Sequence, residues 1–447
     1  MTRRVSVAAL IVGAVMTIAA PSGAIAARHH GSAATIAPGA PGSESYFDLA
    51  RKDCVGTARN TGAKVWFTVA GGVLSDVYWP TVDATNVHTL QYLVSDGHSF
   101  TDLQTRDMSY RIVPDPTGMS CTVIASDAAH HYQITTTYLA DPARNAVLMR
   151  TRFHGPAGDQ LYARLDPLAG GTGGGGSQNA GGNTATLASV DGTQVPVAYN
   201  TNTATTAVNR TYAVPTYEAL QSSHGFSSAS VGYADSPSDG VKMLDAVHQL
   251  TSYGSAPNGH VTLTAGLRLG RGDTTLALGF GTTQSQALTV AGDAVAQRFN
   301  RVWRRYESQW LGYDAGLTRP SRRLGLSAVR GYYASVNVVK ASEDKTFPGA
   351  IAAGLASPWG QSVPAGNAIN GQPMYFGSYR EVFARDLYEA FTGLLVAGDV
   401  QTARDATYFL FDRQQQATVR CRAIRWRTEC PHRTPGVCSS TRPPIRC

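Results

Sequence analysis

Hydrophobic positions along the first two thirds of the chain come in short runs that alternate with polar ones, the period expected of half-buried strands. Val65–Val69, Tyr132–Tyr138, Ala146–Phe153, Val261–Thr264 and Thr275–Phe280 are rich in β-branched and aromatic residues, and Gly, Asn, Asp and Pro separate them. The longest break is Gly170–Gly182, which contains four consecutive glycines, Gly173–Gly176. No phosphate-loop Lys or Ser/Thr follows them, so this reads as a surface loop and not a nucleotide cradle. Residues 44–290, strand after strand without regular helical spacers, predict one large antiparallel β-sandwich.

The period then changes. Residues 286–313 read as helical, with Tyr306, Trp310 and Tyr313 on one face, and Val329, Tyr332, Tyr333 and Val336 repeat at i, i+3, i+4, i+7. A further helix is predicted after Asp386: that residue is placed to cap it, Glu389 to complete a capping box, and Gly398 to end it. Leu387, Ala390, Phe391, Leu394 and Leu395 form its apolar stripe, and another helix is expected from Asp399 through Phe411. The fold class is therefore multidomain, β then α: a sandwich at 44–290, a helical linker at 291–322 and the start of an all-α domain at 323–416.

The termini differ from this body. Arg3 and Arg4 precede an uncharged, mostly apolar run from Val5 to Ala20, and Ala24-Ile25-Ala26 supplies small residues for a signal peptidase. Residues 1–26 thus read as a signal peptide of a secreted protein, the mature chain starting at Ala27. The run is too short for a stable membrane anchor, and residues 27–43, rich in Ala, Gly, Ser and Pro, read as a flexible leader. The formal charge of +7 comes from the ends: residues 417–447 hold seven Arg against Glu429, whereas residues 27–416 are nearly neutral. A body without a long-range positive field excludes a nucleic-acid partner. Cys54 and Cys121 could pair in an oxidising compartment; Cys421, Cys430, Cys438 and Cys447 lack the close spacing of most structural zinc sites, so no metal ligand is expected.

Candidate chemistry lies between the predicted helices. Ser357-Pro358-Trp359-Gly360, Tyr375-Phe376-Gly377-Ser378-Tyr379-Arg380 and then Arg385-Asp386 bring aromatic faces, a guanidinium and a carboxylate together. Such a set suits a pyranose, whose C–H faces stack on rings while its hydroxyls take directional hydrogen bonds. An Asp beside an Arg should stay ionised, which makes Asp386 an acceptor and a poor general acid.

The segment from Asn337 to Gln415, with Lys340–Ala350, Ser357–Gly360 and Tyr375–Tyr388, resembles the start of the catalytic domain in bacterial glycoside hydrolase family 15, the glucoamylases and glucodextranases. Upstream, Val65–Thr68, Gly72–Pro80 and Leu165–Pro167 resemble the β-sandwich domain N that precedes it; Asp76 and Trp79 stand where that family usually has Glu and Tyr. The resemblance implies the first helices of an (α/α)6 barrel and an inverting, exo-acting release of glucose from α-glucans such as starch, maltodextrin or dextran. It implies a monomer when complete, and an Arg-Asp pair gripping the terminal glucosyl unit, which falls here on Arg385 and Asp386, with Tyr375 and Trp359 beside it. No cofactor is expected; calcium, present in some relatives, would find no carboxylate cluster with the spacing of a recognisable loop.

Inverting hydrolysis needs two carboxyl groups about 6.5–9.5 Å apart. The family's two catalytic glutamates lie well downstream of the Arg-Asp pair and have no counterpart in this sequence; Glu343, Glu381 and Glu389 match no catalytic motif. After Gln416 helical period, low Cys content and charge balance fail together. Reread in the frame that starts on the third base of each codon, Ala417–Trp426 and Arg433–Cys447 can encode segments resembling the next stretch of the family's catalytic domain. The expectation is a frameshifted tail at 417–447 and a truncated chain without turnover. The alternative function is a non-catalytic carbohydrate-binding or structural sandwich.

Overall fold

The structure, a computed structural model, describes residues 35–43, 51–171, 182–203, 212–270, 272–355 and 381–414, together with the backbone of 367–369 and 372–374. Two antiparallel sheets form the predicted sandwich. The eight-stranded sheet comprises Cys54–Thr57 (β1), Trp66–Ala70 (β2), Val73–Tyr78 (β3), Val87–Ser95 (β4), Thr101–Leu103 (β5), Gln160–Pro167 (β10), Phe226–Tyr233 (β14) and Val261–Leu267 (β16). Its order is β1-β2-β3-β4-β10-β16-β14, with β5 added to β4.

The nine-stranded sheet comprises Ser109–Pro114 (β6), Cys121–Asp127 (β7), Tyr132–Ala140 (β8), Ala146–His154 (β9), Asn183–Val190 (β11), Thr193–Asn200 (β12), Thr216–Ser222 (β13), Ser255–Gly259 (β15) and Thr274–Gly281 (β17), in the order β15-β11-β12-β13-β17-β9-β8-β7-β6. The chain changes sheet repeatedly, so each sheet mixes strands distant in sequence. Leu74, Leu90, Leu165 and Leu278 are fully enclosed between the layers, and the Tyr92 hydroxyl reaches across them to Thr151 Oγ1 at 2.6 Å. Cys54 on β1 and Cys121 on β7 are joined as a disulfide.

The strand pattern has two helical interruptions: the single turn Gln104–Asp107 (α1) and Gly240–Val247 (α2), whose first turn is capped by Asp239 accepting from the Val241 N–H. Predicted helix 286–313 is in fact two, Gln284–Val295 (α3) and Phe299–Gly316 (α4). The first lies on the nine-stranded sheet so closely that a Cβ at Gly279 of β17 would stand 2.6 Å from the Ala291 backbone nitrogen. This explains why β17 is buried along its whole length.

The leader also departs from expectation. Residues 35–43 lie along the sandwich, the Ala37 N–H bonded to the Ser255 carbonyl at 2.8 Å and the Pro41 carbonyl accepting from His260 N–H at 2.7 Å. Composition suggested a free segment because most of its own bonding groups are backbone ones, the Pro38 carbonyl among them accepting from Ser238 Oγ at 2.6 Å.

The remaining helices are Leu326–Ala341 (α5), Ala384–Val396 (α6) and Val400–Tyr408 (α7), the last continuing as a π-helical turn, Phe409–Gln414. Their core is continuous with that of the sandwich. The seam is stitched by aromatic and polar tips: Trp66 Nε1 donates to the Ala341 carbonyl at 2.8 Å, Trp310 Nε1 to Thr57 O at 2.9 Å, Tyr78 Oη to Leu355 O at 2.9 Å and Asn337 Nδ2 to Thr117 O at 3.0 Å. Tyr306 and Trp310 are buried as their spacing predicted. The α5 stripe Val329, Tyr332, Tyr333 and Val336 is only half-buried; the enclosed side of that helix carries Asn337, Lys340 and Ala341. No described helix is long and apolar enough to cross a membrane.

Candidate functional site

Of the four residues singled out for sugar binding, Trp359 and Tyr375 lie outside the described residues, as does the frameshift reading of 417–447 and the glycine loop core at 172–181. Arg385 and Asp386 are placed, in the first turn of α6. Phe383, in extended conformation, precedes that helix and supplies no side-chain cap. Asp386 is therefore the third helical residue and not its cap, a correction with a physical cause: the chain turns helical three residues earlier than a carboxylate cap at 386 would require. A carboxylate in a first turn still faces the positive end of the helix dipole. The capping expectation for Glu389 falls with it, and that residue is exposed.

The pair is joined directly. Arg385 Nη2 donates to both Asp386 oxygens, at 2.9 and 3.2 Å. The two differ in exposure: the Arg385 side chain is 72% accessible, the Asp386 carboxylate 21%. Leu387 and Leu394 anchor the helix beneath them, each essentially fully enclosed. Downstream, Gly398 adopts the left-handed conformation that ends α6, and Asp399 caps α7 by accepting from Thr402 N–H at 3.0 Å, as the sequence predicts. The pair thus offers a carboxylate held by its neighbour and a guanidinium open to a ligand. It does not offer two carboxyl groups for acid–base work.

The Lys340–Ala350 motif lies on the seam. Asp344, buried, accepts from Val82 N–H at 2.9 Å and from Thr346 N–H at 2.7 Å, and burial pushes its carboxyl up to about 7. Lys345 Nζ donates to Thr57 Oγ1 and the Ala63 carbonyl, both at 2.6 Å, and stands 5.0 Å from the centre of the Trp66 ring. Burial of this ammonium pulls it well below the ordinary lysine range, with Asp344 opposing. Lys340 bonds Glu343 and Thr402. These groups border a cavity of about 220 Å³ with Arg59, Trp310 and Asp405. Sequence spacing showed the motif but not its work, because its partners on β1 and β2 lie almost three hundred positions away.

Glu343 is committed to Lys340 and to the Gly349 N–H, which it accepts at 2.8 Å. Among the described residues the one group with convergent histidine and carboxylate ligand atoms is Asp102, Asp127 and His130, on the sandwich rim.

Comparison with known proteins bears on this arrangement. The family profile described as glucodextranase, domain N, matches residues 37–315. A glucoamylase from Clostridium sp. (strain G0005) is 28% identical over 376 residues, covering 83% of this chain and 49% of its own. The crystal structure of a bacterial glucoamylase complexed with acarbose superposes with a TM-score of 0.72 at 29% identity, over 84% of this chain and 52% of that one. The chain thus spans about half the length of these relatives. An alignment of 376 residues is longer than everything up to residue 315, so it reaches into the helices that follow the sandwich. The two stacked antiparallel sheets, the helices behind them and the matched span place this chain in the glucodextranase domain N family.

Proposed function

We propose that this chain is a secreted glucan-binding portion of a glucoamylase-type hydrolase, with Arg385 and Asp386 gripping the terminal glucosyl unit of an α-glucan. The observation that carries the reading is the Arg385–Asp386 contact on the first turn of α6, in a chain that resembles a glucoamylase over 376 residues. In that arrangement the exposed guanidinium donates to sugar hydroxyls while the Asp386 carboxylate, oriented by its neighbour, accepts from an adjacent pair. The activity of the whole enzyme would be inverting release of glucose from non-reducing ends of starch, maltodextrin or dextran, which requires an acid and a base on opposite faces of the scissile bond. The family's two glutamates for those roles have no counterpart in this sequence, so the 447 residues are expected to bind without turnover. Export is part of the same proposal, supported by the Arg3–Ala26 pattern and by a disulfide that suits an oxidising compartment.

Isothermal titration of the full chain with acarbose tests the grip. Arg385→Ala and Asp386→Ala should each weaken binding about tenfold or more, since each removes a charged hydrogen-bonding partner, and glucose release from maltotriose should not exceed a vector control. Unchanged affinity in both variants, or absence of binding by the parent, would remove these residues from the role. Glucose release would overturn the inactivity.

A further inference from the structure

At one rim of the sandwich, residues of both sheets converge. Asp102 lies on β5 of the eight-stranded sheet, Asp127 ends β7 of the nine-stranded sheet, and His130 sits in the turn before β8. His130 Nδ1 is 2.7 Å from Asp102 Oδ2 and 3.3 Å from Asp127 Oδ1, and all three ligand atoms fall within 4.8 Å of one another. Neither carboxylate has any other ion-pair partner among the described residues; no described Lys or Arg lies within its reach.

The surroundings hold these groups in place. The His130 ring is stacked on Phe100 with centroids 3.8 Å apart and planes within 2°. Tyr132 Oη donates to Asp102 Oδ2 at 2.7 Å, and the His130 N–H donates to Asp127 Oδ1 at 2.7 Å. Such outer contacts are what fix ligand orientation around a metal. A further carboxyl group, Asp159 on the turn between β9 and β10, adds to the negative charge: its Oδ2 is buried without a hydrogen-bond partner, and its carboxyl interacts electrostatically with His130.

We propose that Asp102, Asp127 and His130 form a site for one divalent transition ion of the zinc type, linking the two sheets at this rim. Ligand atoms around tetrahedral zinc, bonded at about 2.0–2.2 Å, stand roughly 3.3 Å apart. The present separations bracket that figure, and only small side-chain rotations separate the proton-bridged cluster from a metal-bridged one. One imidazole and two carboxylates suit zinc, manganese or iron better than the oxygen-only shell of calcium. Three protein ligands and a half-exposed histidine leave a fourth position for water. The two carboxylate charges are neutralised by the ion where the described residues supply no fixed cation. The sequence hides this site because Asp102 comes from a strand of one sheet while Asp127 and His130 come from a turn of the other.

The full chain, stripped with chelator and titrated with Zn2+, should bind one ion at this site, and its melting temperature should rise with Zn2+ concentration. Asp127→Asn and His130→Asn should each weaken that binding at least tenfold, in keeping with loss of one of three ligands. Histidine-ring NMR of the parent chain gives a readout independent of any variant: Zn2+ should move one Nδ1 resonance, with Ca2+ leaving it unmoved. Zinc binding of equal strength in both variants, no shift of any histidine Nδ1, or tighter binding of Ca2+ than of Zn2+ would each overturn the assignment.

Discussion

The sandwich and the helices behind it handle apolar surface in opposite ways. Every residue of β4 and β17 is buried, because one face of each strand meets the facing sheet and the other is covered by neighbouring segments such as α3. On α6, α7 and the π-turn after them, Tyr388, Val396, Val400, Tyr408 and Phe411 are exposed, Val396 to 75%. Strands β4 and β17 complete their packing within the described residues; α6 and α7 pack on one another and on α5 and present another face to solvent. The hydrophobic pattern of α6 and α7 is thus left partly exposed, while that of β4 and β17 is covered along its whole length.

The sharpest test of this contrast puts the same substitution in both regions. Leu90→Ala on β4 removes a fully enclosed side chain and should cost about 2–5 kcal/mol. Leu395→Ala on α6, where the side chain is 49% exposed, should change stability by less than about 0.5 kcal/mol. Denaturant unfolding measures both, and comparable losses would show that the helices are as fully packed as the strands. The disulfide sharpens the comparison next. Cys54 and Cys121, 67 positions apart, tie one sheet to the other, and closing a loop of that length restricts the unfolded chain. Replacing both by Ser should lower stability by about 2–4 kcal/mol under oxidising conditions, with no difference between parent and variant once the parent is reduced.

Legibility in the sequence divides along the same line. The strand runs and the Tyr306–Trp310 face could be read because a two- or four-residue period is written locally. Sheet order could not, since β10 lies between β4 and β16 and takes its neighbours from opposite directions along the chain. Local capping rules misplaced the start of α6: Asp386 has the right chemistry for a cap, but Phe383 already holds the extended conformation that precedes the helix. On α5 the apolar repeat Val329, Tyr332, Tyr333 and Val336 shows the helix, but the seam uses Asn337 and Lys340, polar residues whose partners lie on other elements. As for the site, Arg385 and Asp386 are adjacent in sequence, so their contact was readable. The rim cluster at Asp102 and the role of Lys345 depend on residues that only the folded chain brings together.

An effect that depends on pH is expected at Asp344, which stands where the two regions meet. Its carboxyl ionises near 3.8 when unfolded and at about 7 in the fold, burial being the main cause, with Asp83 adding to it and the backbone N–H donors of Val82, Thr346 and Phe347 opposing. The folded state thus holds this proton more tightly than the unfolded state. Stability from this group is complete below about pH 4 and is lost as pH rises toward 7, because the unfolded chain ionises first. Asp344→Asn removes the titration but keeps a single acceptor where the carboxylate served three N–H groups, so it should impose a pH-independent loss of about 1 kcal/mol. Unfolding curves at intervals from pH 4 to pH 7 should therefore show the variant weaker than the parent at pH 4 and gaining on it steadily as pH rises. Parallel curves across that interval would mean that the Asp344 carboxyl is already ionised in the fold, and that the seam between sandwich and helices tolerates a buried charge.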